Sequence, residues 1–195
     1  MKIENGYTLH ETIENGERVA VIATGIKKPT ANRKTGNMVQ IWIILADQNP
    51  VAAVNSGLDA NTICQGCPFA SGKGCYVNAG QAPLMVWKTY KAGKYPKLDP
   101  ASYEKVFKGR KVRFGAYGNP TLIPLSMVKA IAKVSSGWTG YFHNWRELGQ
   151  AKAKAYNAYF MASTESETSF DLANTQGLRV FHANVKRPEN TVECL

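Results

Sequence analysis

The sequence predicts an α/β fold in which a β-rich amino-terminal segment leads into βα repeats that form a partial or complete α/β barrel, or an open parallel sheet. Three observations predict it. RVAVIAT (18–24) and MVQIWIILA (38–46) are rich in β-branched and aromatic residues and are bounded by Asn-Gly and Thr-Gly turns, as strands are. The last third alternates strand-like and helix-like segments, a rhythm that implies parallel pairing through right-handed βαβ crossovers. With 195 residues, 44% of them hydrophobic, the chain can bury a core yet stays within the size of one domain.

Taken in order, residues 1–56 form the β-rich part, and the segment from Gly25 to Gly36, with Lys27, Lys28, Arg33 and Lys34, reads as a basic loop. Residues 57–80 are dominated by Gly, Cys, Ser and Asn, a composition that holds its shape only if something other than an apolar core ties it down. Residues 81–195 carry the repeats. Helices are expected at 82–91 and 102–107, then a strand at 111–117, a helix at 125–134, a strand at 138–143 and a helix at 145–156. A strand at 159–163, a helix at 167–175 and a strand at 178–182 complete the series.

No stretch approaches the roughly 18 apolar residues that span a bilayer. The strongest run, Val39 to Ala46, is eight residues long and contains Gln40. The first residues, MKIENGYTLHE, lack the apolar core of an export signal, so the cytoplasm is the expected location. In a reducing compartment cysteines seldom form structural disulfides, and three of the four here fall within positions 64–75, which favours metal or redox use. The formal charge of +10, from 24 basic against 14 acidic residues, attracts polyanions or anionic cofactors. Basic residues recur from Lys88 to Arg113 with Tyr90, Tyr95 and Tyr103 among them. That mixture suits a single nucleic-acid strand, because charge follows phosphates and rings stack on bases, and it suits a solvated helical face equally well.

The sharpest chemical signal is Cys64-Gln-Gly-Cys67, followed after seven residues by Cys75-Tyr76. A Cys-x2-Cys pair aims two thiolates at one ion, and the glycine-rich connector brings a third sulfur into the same shell. The fourth position falls to Cys194, His143, His182, a water or a substrate group. Three protein ligands with one open position describe a catalytic zinc or a [4Fe-4S] cluster with one free iron, and the spacing does not choose between them.

A second signal is positional, since catalytic groups of α/β sheets gather at the carboxyl ends of the strands. The four strands expected in the last third end in Tyr117-Gly118-Asn119, His143-Asn144, Ser163-Thr164-Glu165 and His182-Ala183-Asn184, all polar, and they hold two of the three histidines. His143, Glu165, His182 and Asn119 are therefore the catalytic candidates, whereas His10 takes a structural reading. In RFGAYGNP (113–120), glycines at a strand end let backbone approach a ligand closely or form a tight strand-to-helix turn before Pro124; on the first reading Gly115, Tyr117, Gly118 and Asn119 are the cofactor-binding candidates, joined by Ser163 at a neighbouring strand end.

The ordered set CxxCPxxxxxxCY, RFGAYGNP, WTGYFHNW, FMAST and a closing RVF resembles a bacteriophage family called gene-product-88-like, over roughly residues 60–185. The resemblance implies a phage protein at work in the cytoplasm of the host cell. Members carry further cysteines in a carboxyl-terminal tail, whereas this chain ends at Cys194-Leu195: it is a shortened member, or Cys194 alone completes the centre. More distantly, a Cys-rich loop ending in Cys-Tyr, a Gly-rich strand end with Pro and then βα repeats resemble the layout of radical S-adenosylmethionine enzymes. Those normally use Cys-x3-Cys-x2-Cys, and the Cys-x2-Cys-x7-Cys of this chain departs from that spacing. The likeness implies a cluster on Cys64, Cys67 and Cys75, with the turn from Gly115 to Pro120 facing S-adenosylmethionine.

Two functions follow as expectations. One is a metal- or Fe-S-dependent enzyme that modifies a nucleotide or nucleic acid, with His143, Glu165 and His182 moving protons. The other is a non-catalytic binder of DNA or RNA, used in phage replication or host takeover, whose closed four-sulfur zinc site on Cys64, Cys67, Cys75 and Cys194 is structural.

Overall fold

In the computed structural model, which describes residues 2–28, 35–71, 73–183 and 191, the strands form one seven-stranded sheet whose spatial order is their order in the chain. They are β1 (Gly6–Glu14), β2 (Glu17–Thr24), β3 (Val39–Leu45), β4 (Lys111–Phe114), β5 (Gly137–Phe142), β6 (Met161–Thr164) and β7 (Val180–His182). The first three make an antiparallel meander, and every pairing from β3 to β7 is parallel. These are the pairings of an open sheet: among the described residues none joins β7 to β1. No helix of the described residues is long and apolar enough to cross a membrane.

The helices are α1 (Pro50–Ser56), α2 (Leu58–Thr62), α3 (Ala82–Lys91), α4 (Tyr103–Phe107), α5 (Leu125–Val134), α6 (Gln150–Asn157) and α7 (Glu167–Thr175). Strands that pair with their sequence neighbours through right-handed crossovers send α5, α6 and α7 back over the same face. There the ring of Phe160, just after α6, lies 5.3 Å from that of Phe114 in β4. Side chains alternate along a strand. Val112, Phe114, Phe142 and Ala162 therefore enter this helix-covered core and are fully buried.

The other face begins under α3. Glu11 of β1 accepts a 2.5 Å hydrogen bond from the Tyr90 hydroxyl, and the Thr8 hydroxyl donates to the Tyr95 carbonyl at 3.1 Å. Beyond β3 that face carries Arg113, Thr139, Tyr141, Met161, Ser163 and Phe181, of which only Ser163 is buried.

Helices expected at 82–91, 125–134 and 167–175 stand at those positions. Other elements differ for local reasons. β1 lacks the dense apolar pattern that marks β2 and β3, and it is a strand because it pairs with β2 along its length, with a register shift between Thr8 and His10. α1 owes its start to Asn49, whose side chain accepts from the Ala52 amide, and to Pro50 in the first turn. The segment expected to be a loop from Gly57 opens with α2. β4 stops at Phe114 because Gly115 takes φ +72°, but the chain keeps bonding to β3 beyond it, with Ala116 donating to Ile41 and Ile43 to Tyr117. The helix expected at 145–156 is divided at Gly149 into a 3-10 turn (Asn144–Arg146) and α6.

Candidate functional site

The loop that carries the cysteines lies against the carboxyl ends of β4, β5 and β6. The Asn119 amide, after β4, donates to the Ile63 carbonyl at 2.7 Å and so fastens the strand end to the start of the loop. After β5, the Asn144 side-chain amide donates to Gln65 Oε1 at 2.9 Å, and His143 meets the edge of Phe69 with ring centres 6.3 Å apart. After β6, Glu165 lies near enough to Cys67 to help raise its pKa. It also receives the Arg146 guanidinium at 2.9 Å.

Cys64 and Cys67 are half-buried and Cys75 is exposed, all three as free thiols. Burial, then the Asp59 carboxylate, then Cys67 and Cys75 push the Cys64 thiol well above its ordinary range. Burial pushes Cys67 up to about 11, opposed by the nearby backbone N–H groups of Phe69 and Ala70. Cys75 raises both partners, so the three sulfurs sense one another. Among the described residues no group of three His, Cys, Asp or Glu side chains is gathered as a ligand set. The donor chemistry fits a thiolate-bound metal in kind: three thiols share one loop, two of them half-buried. Cys194 lies outside the described residues, as do Arg33, Lys34 and Asn184.

The other candidate residues divide. Burial, with Arg146 adding to it, lowers the His143 imidazole to about 4, and its buried Nδ1 has no hydrogen-bond partner among the described residues. His182 has its Nδ1 2.9 Å from the Thr164 hydroxyl and its ring against Phe170 of α7. Asn119 is buried, its Oδ1 taken by Thr121 and its Nδ2 without a partner. Tyr117 is buried beside Asp59. Gly118 takes φ +78° and passes so close to β3 that a Cβ would lie 2.7 Å from the Ile43 carbonyl oxygen, so the glycine serves strand contact. Gly115 is similarly tight against Pro120. Ser163 is only 3% exposed, and the rings of Tyr141 and Phe181 meet on its face of the sheet at 4.3 Å. In this conformation Ser163 is closed to a ligand.

Sequence reasoning missed Asp59, a carboxylate only 2% exposed in α2, which no motif marks. It accepts from the Ser71 hydroxyl at 3.1 Å and the Ala60 amide at 2.8 Å, and the Cys64 thiol is 3.9 Å away. It also missed that Tyr76, next to Cys75, reaches over the open sheet face to hydrogen-bond Arg113. The adjacency of Cys75 and Tyr76 was the available signal.

Behind the loop lies a cleft of about 540 Å³, between His10, Thr12 and Glu14 of β1 and the first turns of α6. A chain of hydrogen bonds crosses it. The Thr121 hydroxyl donates to Asn144, Asn144 to Gln65, and Gln65 to Glu14, at 3.1, 2.9 and 2.8 Å. His10 thus lines a polar cleft.

The basic stretch is less free than its composition suggests. Lys91, Lys97 and Lys108 pair with Asp47, Glu11 and Glu104. Arg110 bonds the carbonyls of Gly25, Ile26 and Asn37, a structural duty. Tyr103 is 4% exposed, and Tyr90 and Tyr95 pack against the core, so these rings are not a stacking surface.

Comparison with protein-family models, with characterised proteins and with solved structures finds no match for this chain.

Proposed function

We propose that the chain is a metal-dependent enzyme acting on a nucleotide or nucleic acid, with Cys64, Cys67 and Cys75 holding zinc or an iron-sulfur cluster. The observation that carries this reading is that the loop bearing three free thiols shares the carboxyl edge of a parallel sheet with Asp59, Tyr117, His143 and Glu165. The motif order that resembles the phage family supports it as well. A metal bound there would supply Lewis acidity or electron transfer. Around it, the neutral His143 is suited to ligation or hydrogen bonding, and the Glu165 carboxylate, oriented by Arg146, to accepting a proton. The charge of +10 supports an anionic substrate.

The test is metal content with an absorption spectrum, both on anaerobically purified protein. Iron with visible absorption that bleaches in air, lost in Cys64→Ala, Cys67→Ala and Cys75→Ala, supports the cluster form. Colourless protein with one zinc per chain, lost in the same variants, supports the zinc form. A folded chain with neither metal overturns the proposal. If zinc is present and also needs Cys194, the closed four-sulfur site of a non-catalytic DNA- or RNA-binding protein takes its place.

A further inference from the structure

Strand register puts Lys111 and Arg113 of β4, Thr139 and Tyr141 of β5, Met161 of β6 and Phe181 of β7 on one side of the sheet. α5 to α7 return over the opposite side, and α3 covers only the β1 to β3 end of this one. The face therefore lies open across four strands except at Ser163, which is buried where the rings of Tyr141 and Phe181 meet. Two of these six side chains are cationic and none is acidic. Tyr141 and Phe181 come from strands that do not touch, yet their rings lean together across β6 with centres 4.3 Å apart. Tyr76 stands over the same ground. It is 74% exposed as a residue, and its hydroxyl end is tucked against Arg113, whose guanidinium carbon lies 5.7 Å from the ring centre. Tyr141 and Cys75 both act on the Tyr76 phenol, so the rings and the third cysteine are neighbours.

We propose that this open face binds a single-stranded nucleic acid, with Tyr76, Tyr141 and Phe181 as the rings on which bases stack and Arg113 and Lys111 as the phosphate contacts. The proposal rests on the nucleic-acid part of the function proposed above, and it names where the strand lies. Half-exposed rings beside unopposed cations match a chain of alternating bases and phosphates. A duplex hides the flat faces of its bases and cannot use such rings. Arg113 has donors to spare, because a guanidinium carries five N–H groups and Tyr76 engages few of them. A strand laid from Lys111 towards Tyr141 would reach the cysteine loop at Cys75.

The experiment is fluorescence anisotropy of a labelled short single strand, as deoxyribo- and ribo-oligomers in separate arms, against the same sequence as a duplex. It uses the full chain, Tyr76→Ala, Tyr141→Leu, Arg113→Gln and, as a control on α5 over the opposite side, Lys129→Gln, each checked for fold by circular dichroism. Single strands are expected to bind more tightly than the duplex. Tyr76→Ala and Tyr141→Leu should each weaken binding about fivefold or more, the range of one lost base stack. Arg113→Gln should lower the salt slope by about 0.7, while Lys129→Gln changes affinity little. If Tyr141→Leu fails to fold, the exposed Tyr76→Ala decides alone. Equal binding of duplex and single strand, or an unchanged affinity in folded Tyr76→Ala, overturns the proposal, as does the absence of strand binding. Metal analysis of the same preparations separates the two claims. Strand binding without metal leaves this inference standing and removes the centre, whereas metal without strand binding does the reverse.

Discussion

The Tyr117 hydroxyl donates to Asp59 Oδ2 at 3.4 Å, inside the protein, where the end of β4 meets α2 at the foot of the cysteine loop. Burial, then the Asp59 carboxylate, pushes the Tyr117 phenol far above its ordinary pKa, which keeps it a neutral donor. The same carboxylate is the second cause of the raised Cys64 thiol. One buried acid therefore ties a strand end, the loop and a cysteine together.

Asp59→Ala should leave the Tyr117 and Ser71 hydroxyls and the Ala60 amide without their acceptor and destabilise the fold by about 2–4 kcal/mol in urea denaturation. Asp59→Asn keeps the shape and removes the charge, so the Cys64 thiol should ionise more readily. In metal-free protein its alkylation rate should therefore begin to rise at a lower pH than in the parent. An unchanged pH profile would mean that burial alone sets the thiol.

Gly118→Ala should cost more than a surface substitution does. The residue sits at φ +78°, and its Cβ would press on the Ile43 carbonyl oxygen and Cβ at 2.7 and 2.8 Å, both in the middle of β3. Neither neighbour can move aside cheaply, so a loss of about 2 kcal/mol or more is expected in thermal or chemical unfolding. Gly16→Ala, at a hairpin with nothing within 4 Å, isolates the cost of the backbone conformation alone and should lose less.

Those two positions also mark what the sequence made legible. RFGAYGNP identified a strand end whose glycines permit close approach, and Gly118 does make one, but to its own sheet. The βα rhythm was readable because α5 carries an apolar stripe and strands such as Lys111–Phe114 alternate polar with buried apolar residues. Asp59 was not readable, because a carboxylate in LDANT looks like a solvated helix residue until the chain folds Ser71 and Tyr117 onto it. The rings between Lys88 and Arg113 left two readings open for the converse reason. An amphipathic tyrosine packs into a core as readily as it faces a ligand, and Tyr103 does so, whereas Tyr141 and Phe181 escaped notice because they lie 40 residues apart and meet only across β6.

Tyr90→Phe should produce a stability loss that depends on pH. Hydrogen bonds from Tyr90 and Lys97 hold the Glu11 carboxyl below its ordinary value of 4.5, so its contribution is present above that pH and is lost as the pH falls through the lowered value. At the other end, burial and then Glu11 raise the Tyr90 phenol to about 12, so the native state resists an ionisation that the unfolded chain undergoes near 10. The parent thus loses stability between those values, and the variant lacks that loss. The gap between the two proteins should form a plateau of about 1 kcal/mol through neutral pH and narrow at both ends, as urea midpoints across the pH range would reveal. A gap independent of pH would separate the hydroxyl from Glu11.

His143 should stay neutral well into the acid range. Burial, then Arg146, lowers its imidazole from an ordinary 6.5 to about 4, so between those values the unfolded chain binds a proton that the native state refuses. Native stability must therefore fall as the pH drops from 6.5 towards 4, by on the order of 2–3 kcal/mol, and be unaffected by this residue above 6.5. Nitrogen chemical shifts of the ring, followed by NMR, should show no protonation at pH 5.5, where an ordinary histidine is mostly charged. His143→Gln should remove that part of the acid slope while leaving stability at pH 8 less altered. A ring that titrates near 6.5 would place His143 in water, and with it the Phe69 end of the cysteine loop.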